Sequence, residues 1–306
     1  MLIRGAARAA LAVVVALPLL GAGAGTGDTR SSPWQLLHYN HAYGVLDRVT
    51  ADAIEHSDYL RRFANFEIRT TTGANGQTWT GRYLLGRETY LELFKVGDLP
   101  GQDGKLGSGG MGLSTECADD LATVTDRLRD LGVTNPVEFG QTRDFGDGVP
   151  VPWFDSVFTT DRYDTFGVWA MEYRPEYFND PRSKTEPGRH PNDVGRERYL
   201  PDDYRNHQMR DVTGIHLAIT ARDLTNSVPL LKAGNFDVQH GPDGVIARGN
   251  GTTIRLDVVP RGQVGLRQVE MSLNWPSGHR HEERIGQSTL VVGPTTRAVW
   301  TFNTPR

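Results

Sequence analysis

His38-Tyr39-Asn40-His41-Ala42-Tyr43-Gly44-Val45-Leu46 alternates Ala42, Gly44 and Leu46 with His41, Tyr43 and Val45, the mark of a strand with two different faces. The small residues suit a face on which a helix packs closely, so His41 is expected on the other. Ala53, Ile54, Ser57, Leu60 and Arg61 follow at helical spacing within 50–63, with Asp47 or Thr50 available as the cap. Strand-like runs at 66–71, 78–85 and 89–94 complete the unit, the first two joined by Asn75-Gly76, a pair that tolerates the positive φ of a tight hairpin.

The same order restarts at Met111-Gly112-Leu113-Ser114 with a helix over 118–131. It restarts again at 212–220, with a helix over 224–232 and strands at 237–240, 244–248 and 252–259. A reduced fourth unit has strands at 268–274, 288–292 and 298–302 and no helix. A βαβββ unit leaves one face of its sheet bare and cannot close a core alone, so units must pair. The expected class is α+β: paired βαβββ modules forming cupped mixed sheets, with a second, degenerate pair. Chemistry is to be sought at the inward-facing strand positions of the cup.

The chain opens with Arg4 and Arg8 before an apolar run, 9–20, that ends in Ala22-Gly23-Ala24. That run is too short for a spanning helix and reads as a cleaved signal peptide, 1–24, which implies secretion and no stable membrane insertion afterwards. A tail, 25–33, precedes the paired modules, 34–178. Residues 179–210, rich in Pro, Asp, Arg and Asn without a sustained period, read as a linker that few core contacts should cross, and 211–306 as the second domain. A formal charge of -4 gives no nucleic-acid footprint, and Cys117, the single cysteine, excludes an intramolecular disulfide. Gly107, Gly109 and Gly112 match a dinucleotide-binding glycine pattern, but no helix begins at the third glycine. The long middle of module two, 141–166, with Trp153 and Phe154, reads either as a core-finishing hairpin or as a lid.

The strand order, with His41 set against a carboxylate in Tyr90-Leu91-Glu92-Leu93-Phe94, resembles the vicinal oxygen chelate superfamily of glyoxalases, extradiol dioxygenases, epimerases and antibiotic-binding resistance proteins. From Asn40-His41-Ala42-Tyr43 to Ala298-Val299-Trp300-Thr301-Phe302 the chain also resembles a family of secreted bacterial proteins with no assigned function. The superfamily resemblance implies a divalent-metal site held by His41, Glu92 and Glu172. Its fourth position falls near Gly110 or Gly112, where there is no side chain to coordinate. In the second half, His216 lies on a first strand, Leu256 is read as the counterpart of Glu92 with Asp257 opposite, and His279 and His281 as part of a charged loop.

Three functions stay open. One is a metal-dependent enzyme (lyase, isomerase or dioxygenase type) acting on a small oxygenated molecule, with Glu172 moving the proton. The second is a non-catalytic small-molecule binding or sequestration protein whose cup is lined by Tyr39, Tyr43, Tyr90 and Trp153. The third is an envelope interaction module whose cup is filled.

Overall fold

The alternation of 38–46 is realised as strand β1 (His38–Leu46), and the unit it opens is built twice in each half of the molecule. The computed structural model describes residues 35–72 and 76–304. The signal peptide and tail expected at 1–33 lie outside the described residues, as does Asn75 of the first hairpin turn. After β1 come α1 (Arg48–Glu55), α2 (Asp58–Phe63), β2 (Asn65–Thr72), β3 (Thr78–Leu85) and β4 (Tyr90–Lys95). The second pass is β5 (Gly109–Ser114), α3 (Asp120–Asp130), β6 (Val137–Arg143), β7 (Val151–Phe158) and β8 (Phe166–Tyr173). The single helix expected over 50–63 is two, because Ser57 breaks it. Its hydroxyl caps α2 by accepting from the Leu60 amide at 3.1 Å, as Asp47 caps α1.

Short helices α4 (Pro175–Asn179) and α5 (Arg196–Tyr199) lead to the second half. There β9 (Met209–Ile219), α6 (Ala221–Ala233), β10 (Asp237–Gly241), β11 (Gly244–Gly249) and β12 (Thr252–Val258) form the third unit. The fourth is β13 (Gly265–Leu273), β14 (His281–Ile285), β15 (Ser288–Val292) and β16 (Arg297–Thr301). It lacks a helix, as expected, but has one strand more than expected. The charged stretch read as a loop at 278–283 enters β14, where the His281 ring stacks on Tyr59 at 4.9 Å.

The two sheets have one strand order: β2-β3-β4-β1-β5-β8-β7-β6 and β10-β11-β12-β9-β13-β16-β15-β14. In each, the first strand of the pair runs parallel to the fourth and antiparallel to the fifth. This is the paired βαβββ arrangement, with both sheets mixed.

The halves are not separate bodies. One apolar cluster runs from Ala42, Leu91 and Leu93 of the first sheet into Ile215, Leu217, Leu256 and Met271 of the second. Beneath Gly44 a Cβ would lie 3.2 Å from that of Leu266, so β1 backs closely onto the second sheet. Polar ties cross as well. Buried Asp223 accepts from the amides of Asp164, Thr165 and Phe166, and Asp211 from those of Glu88 and Thr89.

The expected linker, 179–210, is likewise packed: Val194, Tyr199 and Leu200 are buried against Tyr83, Tyr90 and Tyr173. Arg196, 3% exposed, donates to the Tyr39 carbonyl and pairs with Glu116 and Glu88. The expectation of a contact-poor boundary is therefore corrected. Tyr and Arg bury their apolar bodies while satisfying their polar ends, which a composition reading counts as solvent-loving. Among the described residues no helix is long and apolar enough to cross a membrane.

Candidate ligand cup

Glycines make the floor of the first sheet's cup. On β5, a Cβ at Gly112 would sit 2.7 Å from His41 Cε1 and 3.2 Å from Trp169, and one at Gly110 would sit 2.3 Å from Tyr43 Cε1 and 2.9 Å from Trp169. The missing side chains let His41, Tyr43 and Trp169 lie close over the strand. On the neighbouring strand the His41 ring stacks on Tyr90, centroids 4.5 Å apart, and meets the Trp169 edge at 5.4 Å. Aromatic pairs at these distances favour such stacked and edge arrangements.

His41 is held in one tautomer by its neighbour. Asn40 Nδ2 donates to Ser114 Oγ at 3.1 Å and to Tyr173 Oη at 3.3 Å, so its Oδ1 faces His41 Nδ1 at 2.8 Å and accepts from it. Nε2 is left with its lone pair. Burial lowers the His41 pKa to about 3, and the ring is neutral at neutral pH. Glu92 lies two residues along β4 from Tyr90, on the same face and opposite Tyr43. Burial raises its pKa to about 7, with Arg69 opposing the shift. Water still reaches it through the cup. Among the described residues no hydrogen bond or ion pair is made to its carboxylate.

The remaining wall comes from residues that pattern reading did not single out. Arg69 on β2 lies with its guanidinium carbon 4.4 Å above the Tyr83 ring. Tyr199, carried in by the 179–210 segment, stacks on Tyr173 at 4.2 Å and lines the cavity, which has a volume of about 220 Å³. The segment 141–166 forms the β6–β7 hairpin, and from it Gln141, Trp153 and Phe154 also line the cup. That segment is thus both a core hairpin and a wall of the site. Parity along a strand could have found Trp169 and Arg69; Tyr199 left no local signal.

Of the residues expected in the cup, His41, Tyr43, Tyr90, Glu92 and Trp153 line it together. Two do not. Glu172 is corrected to the opposite face of β8: Trp169 and Met171 point into the cup, so the residue next to Met171 must point away. There its carboxylate accepts from Thr115 Oγ1 at 3.0 Å and from the Asp119 and Leu121 amides at 2.9 Å each. It does the work of a cap for α3, whose N-cap Asp119 makes no side-chain bond. Tyr39 is corrected for a different reason. A bulge between Tyr39 and His41 shifts the register, setting Tyr39 opposite Leu113 and His41 opposite Gly112. Tyr39 therefore joins the core with Leu113, its hydroxyl toward the Tyr90 carbonyl at 3.5 Å.

The divalent metal implied by the resemblance does not fit these residues. The four strands that would supply ligands offer His41 and Glu92 and then either Gly110 with Trp169 or Gly112 with Met171, so the imidazole and carboxylate donors number two where at least three are needed. Among the described residues no group of three or more His, Cys, Asp or Glu is placed to hold an ion. The space a third ligand would take beside Gly112 is filled by the rings of His41 and Trp169.

In the second sheet the counterpart of Glu92 is Asp257, not Leu256. Asp257 pairs with Ala218, two residues beyond His216, as Glu92 pairs with Tyr43, two beyond His41. Leu256 is in the core. His216 Nε2 lies 2.8 Å from Asp257 Oδ2, and Arg255 binds the same carboxylate. Cys117 is half-buried, and burial together with Asp120 and Glu116 raises its thiol pKa, which makes it a poor nucleophile.

Residues 39–302 match the model of a family of unknown function, DUF5829. No curated protein matches the chain. Among solved structures it is similar to a hypothetical protein from Staphylococcus aureus, at 12% identity over 73% of this chain and 87% of that one, TM-score 0.43. It is similar to a Mn(II)-bound glyoxalase from Novosphingobium aromaticivorans, at 10% identity over 86% and 80%, TM-score 0.36. It is also similar to a 2,2',3-trihydroxybiphenyl 1,2-dioxygenase from Sphingomonas wittichii, at 12% identity over 88% and 91%, TM-score 0.37. Likeness at this level carries no argument about the site, which stands on its own residues.

Proposed function

The chain belongs to DUF5829, a family of unknown function, and from that premise we propose that it is a small-molecule-binding protein whose first-sheet cup takes one ring-bearing guest without a metal. One observation carries this reading: an aromatic cavity, walled on one side by Tyr199, keeps the Glu92 carboxylate unpaired inside it. A structural core would fill such a space or pair such a group, since a carboxylate held in an apolar cavity without a protein partner costs stability. The apolar run 9–20 and Ala22-Gly23-Ala24 support export, so the proposed setting is outside the cell.

A second reading, a proton-transfer enzyme, is favoured by the pKa of about 7 at Glu92, which shares the cup with a neutral imidazole whose Nε2 is free. A carboxyl poised near neutrality can both give and take a proton. The two readings share one site and differ in whether the guest leaves changed.

The test is thermal melting and tryptophan fluorescence of the protein with a panel of small aromatic compounds. A bound ring should raise the melting temperature and quench fluorescence, and Tyr199→Ala should weaken both responses. A panel without any response would remove the binding reading. Recovery of the responding compound unchanged after long incubation would leave binding in place and remove the enzyme.

A further inference from the structure

The hydrogen-bonding groups that the cup leaves unpaired are of two opposite kinds. On the donating side is Arg69, whose Nε is buried without an acceptor and whose nearest carboxylate, Glu67, is 3.7 Å away. The indole N–H of Trp153 is buried without an acceptor too. Other buried arginines differ: Arg82 is bound by Glu55 and Asp98, and Arg196 by Glu116 and Glu88. On the accepting side are Glu92, to which nothing among the described residues donates, and the free Nε2 of His41.

A guest that only accepted hydrogen bonds would satisfy Arg69 and Trp153 but, by displacing the water that reaches Glu92, leave its ionised carboxylate without a donor. A guest that only donated would do the reverse. Each case leaves a desolvated polar group unpaired, which is the expensive outcome. The walls add a shape. His41 stacked on Tyr90, with Trp169 and Tyr199 nearby, offers flat faces. The volume of about 220 Å³ exceeds the roughly 150 Å³ cavity that takes up benzene, so it admits one ring with small substituents.

We infer that the guest is an amphoteric ring, an aromatic amine that also carries a carboxylate or carbonyl group, with its acceptor oxygens on Arg69 and Trp153 and its amino hydrogens on Glu92 and His41 Nε2. An amino group suits the accepting end because it brings two hydrogens to two acceptors. This assignment rests on the binding reading above and deepens it.

Calorimetric titration with 3-aminobenzoate, 4-aminobenzoate, benzoate and aniline tests it. One aminobenzoate should bind about tenfold or more tightly than either benzoate or aniline, each of which satisfies one end only. Arg69→Gln should erase its advantage over aniline while aniline binding persists. Glu92→Gln should erase its advantage over benzoate while benzoate binding persists. The persisting partner in each case shows that the cup still folds. If Arg69→Gln unfolds the protein, Arg69→Lys, which keeps the charge and loses Nε, takes its place. Benzoate or aniline binding as tightly as both aminobenzoates would overturn the assignment and leave the binding reading standing. Failure of all four compounds, with no response in the wider aromatic panel, would remove the binding reading along with it.

Discussion

The two sheets share a strand order but not a concave face. At matching register His41 meets Tyr90 and Gly112, whereas His216 meets Arg255 and Gln268. Glu92 stands unpaired where Asp257 is held by His216 and Arg255. The first face is an aromatic cavity partly walled by the 179–210 segment. The hollow of the second is lined by β9, β11, β12 and β13 alone, and Glu270 beside it is tied to Arg297. Topology therefore specifies where a site can form, and a few inward positions decide whether one does. A glycine strand with rings lying on it makes an aromatic cavity; a glutamine and paired charges make the matching hollow, of about 190 Å³, a polar one.

The covering segment is the largest difference, so its anchor should give the largest effect. Arg196→Met removes a buried guanidinium that holds the Tyr39 carbonyl, Glu116 and Glu88. Breaking a buried pair costs roughly 3–5 kcal/mol, and the low end, about 3 kcal/mol, is expected because both carboxylates keep contact with water. Urea denaturation measures the loss, and proteolysis within 179–206 should quicken with it. A loss below about 1 kcal/mol would mean that the aromatic residues, not the arginine, hold the segment down.

Next comes the glycine floor. Gly110→Ala puts a Cβ 2.3 Å from Tyr43, 2.9 Å from Trp169 and 3.0 Å from the Gly167 carbonyl, the last of which cannot swing away. Overpacking of this kind costs about 1–3 kcal/mol and should narrow the cup enough to abolish aromatic quenching. The opposite change in the second sheet, Gln268→Gly, should cost about 1 kcal/mol, the backbone penalty and one half-exposed hydrogen bond to Glu270 Oε1 being all it loses. Equal losses from the two would break the contrast between a packed floor and a solvated face.

The two burial-shifted groups of the cup, Glu92 and His41, give a pH signature different from that of the second sheet. The folded pKa of Glu92, about 7, lies above its ordinary 4.5, so its share of stability is full below 4.5 and is lost as pH rises through 7. The folded pKa of His41, about 3, lies below its ordinary 6.5, so its share is full above 6.5 and is lost as pH falls toward 3. Glu92→Gln should therefore flatten the decline as pH rises from about 4.5 to 7, and His41→Gln the decline as pH falls from about 6.5 to 3. Melting temperatures over both windows decide it; an unchanged slope in the Glu92 variant would show that the cup does not shift that carboxyl.

Which of these residues the sequence disclosed follows from the physics of each signal. Repetition of the βαβββ unit and the parity of 38–46 and 90–95 disclosed the sheets and put His41, Tyr43, Tyr90 and Glu92 together. Parity also contains the answer for Glu172, since Met171 and Tyr173 flank it, whereas the ligand pattern that the resemblance implies points the other way. Tyr39 was illegible because a bulge inserts one residue and reverses every side chain before it. Arg196 and Tyr199 were illegible for a longer-range reason. Their partners, Tyr39, Glu116 and Tyr173, lie far away in the chain, and nothing in the spacing of 179–210 records them.

The smallest effect tests the quiet side of the comparison. Burial pushes the Asp257 carboxyl upward, but hydrogen bonds from Arg255 and His216 outweigh it and hold the pKa below the ordinary 3.8. Its contribution is therefore full above 3.8 and fades as pH falls below it. Both side chains of the His216 pair are about a quarter exposed, at 25% and 24%. Asp257→Asn should accordingly cost no more than about 0.2–1 kcal/mol at neutral pH. Aromatic binding should not change, because the variant lies on a different concave face from the cup. Loss of binding in Asp257→Asn would show that the second sheet's polar face takes part in the site, and the division of labour between the sheets would have to be abandoned.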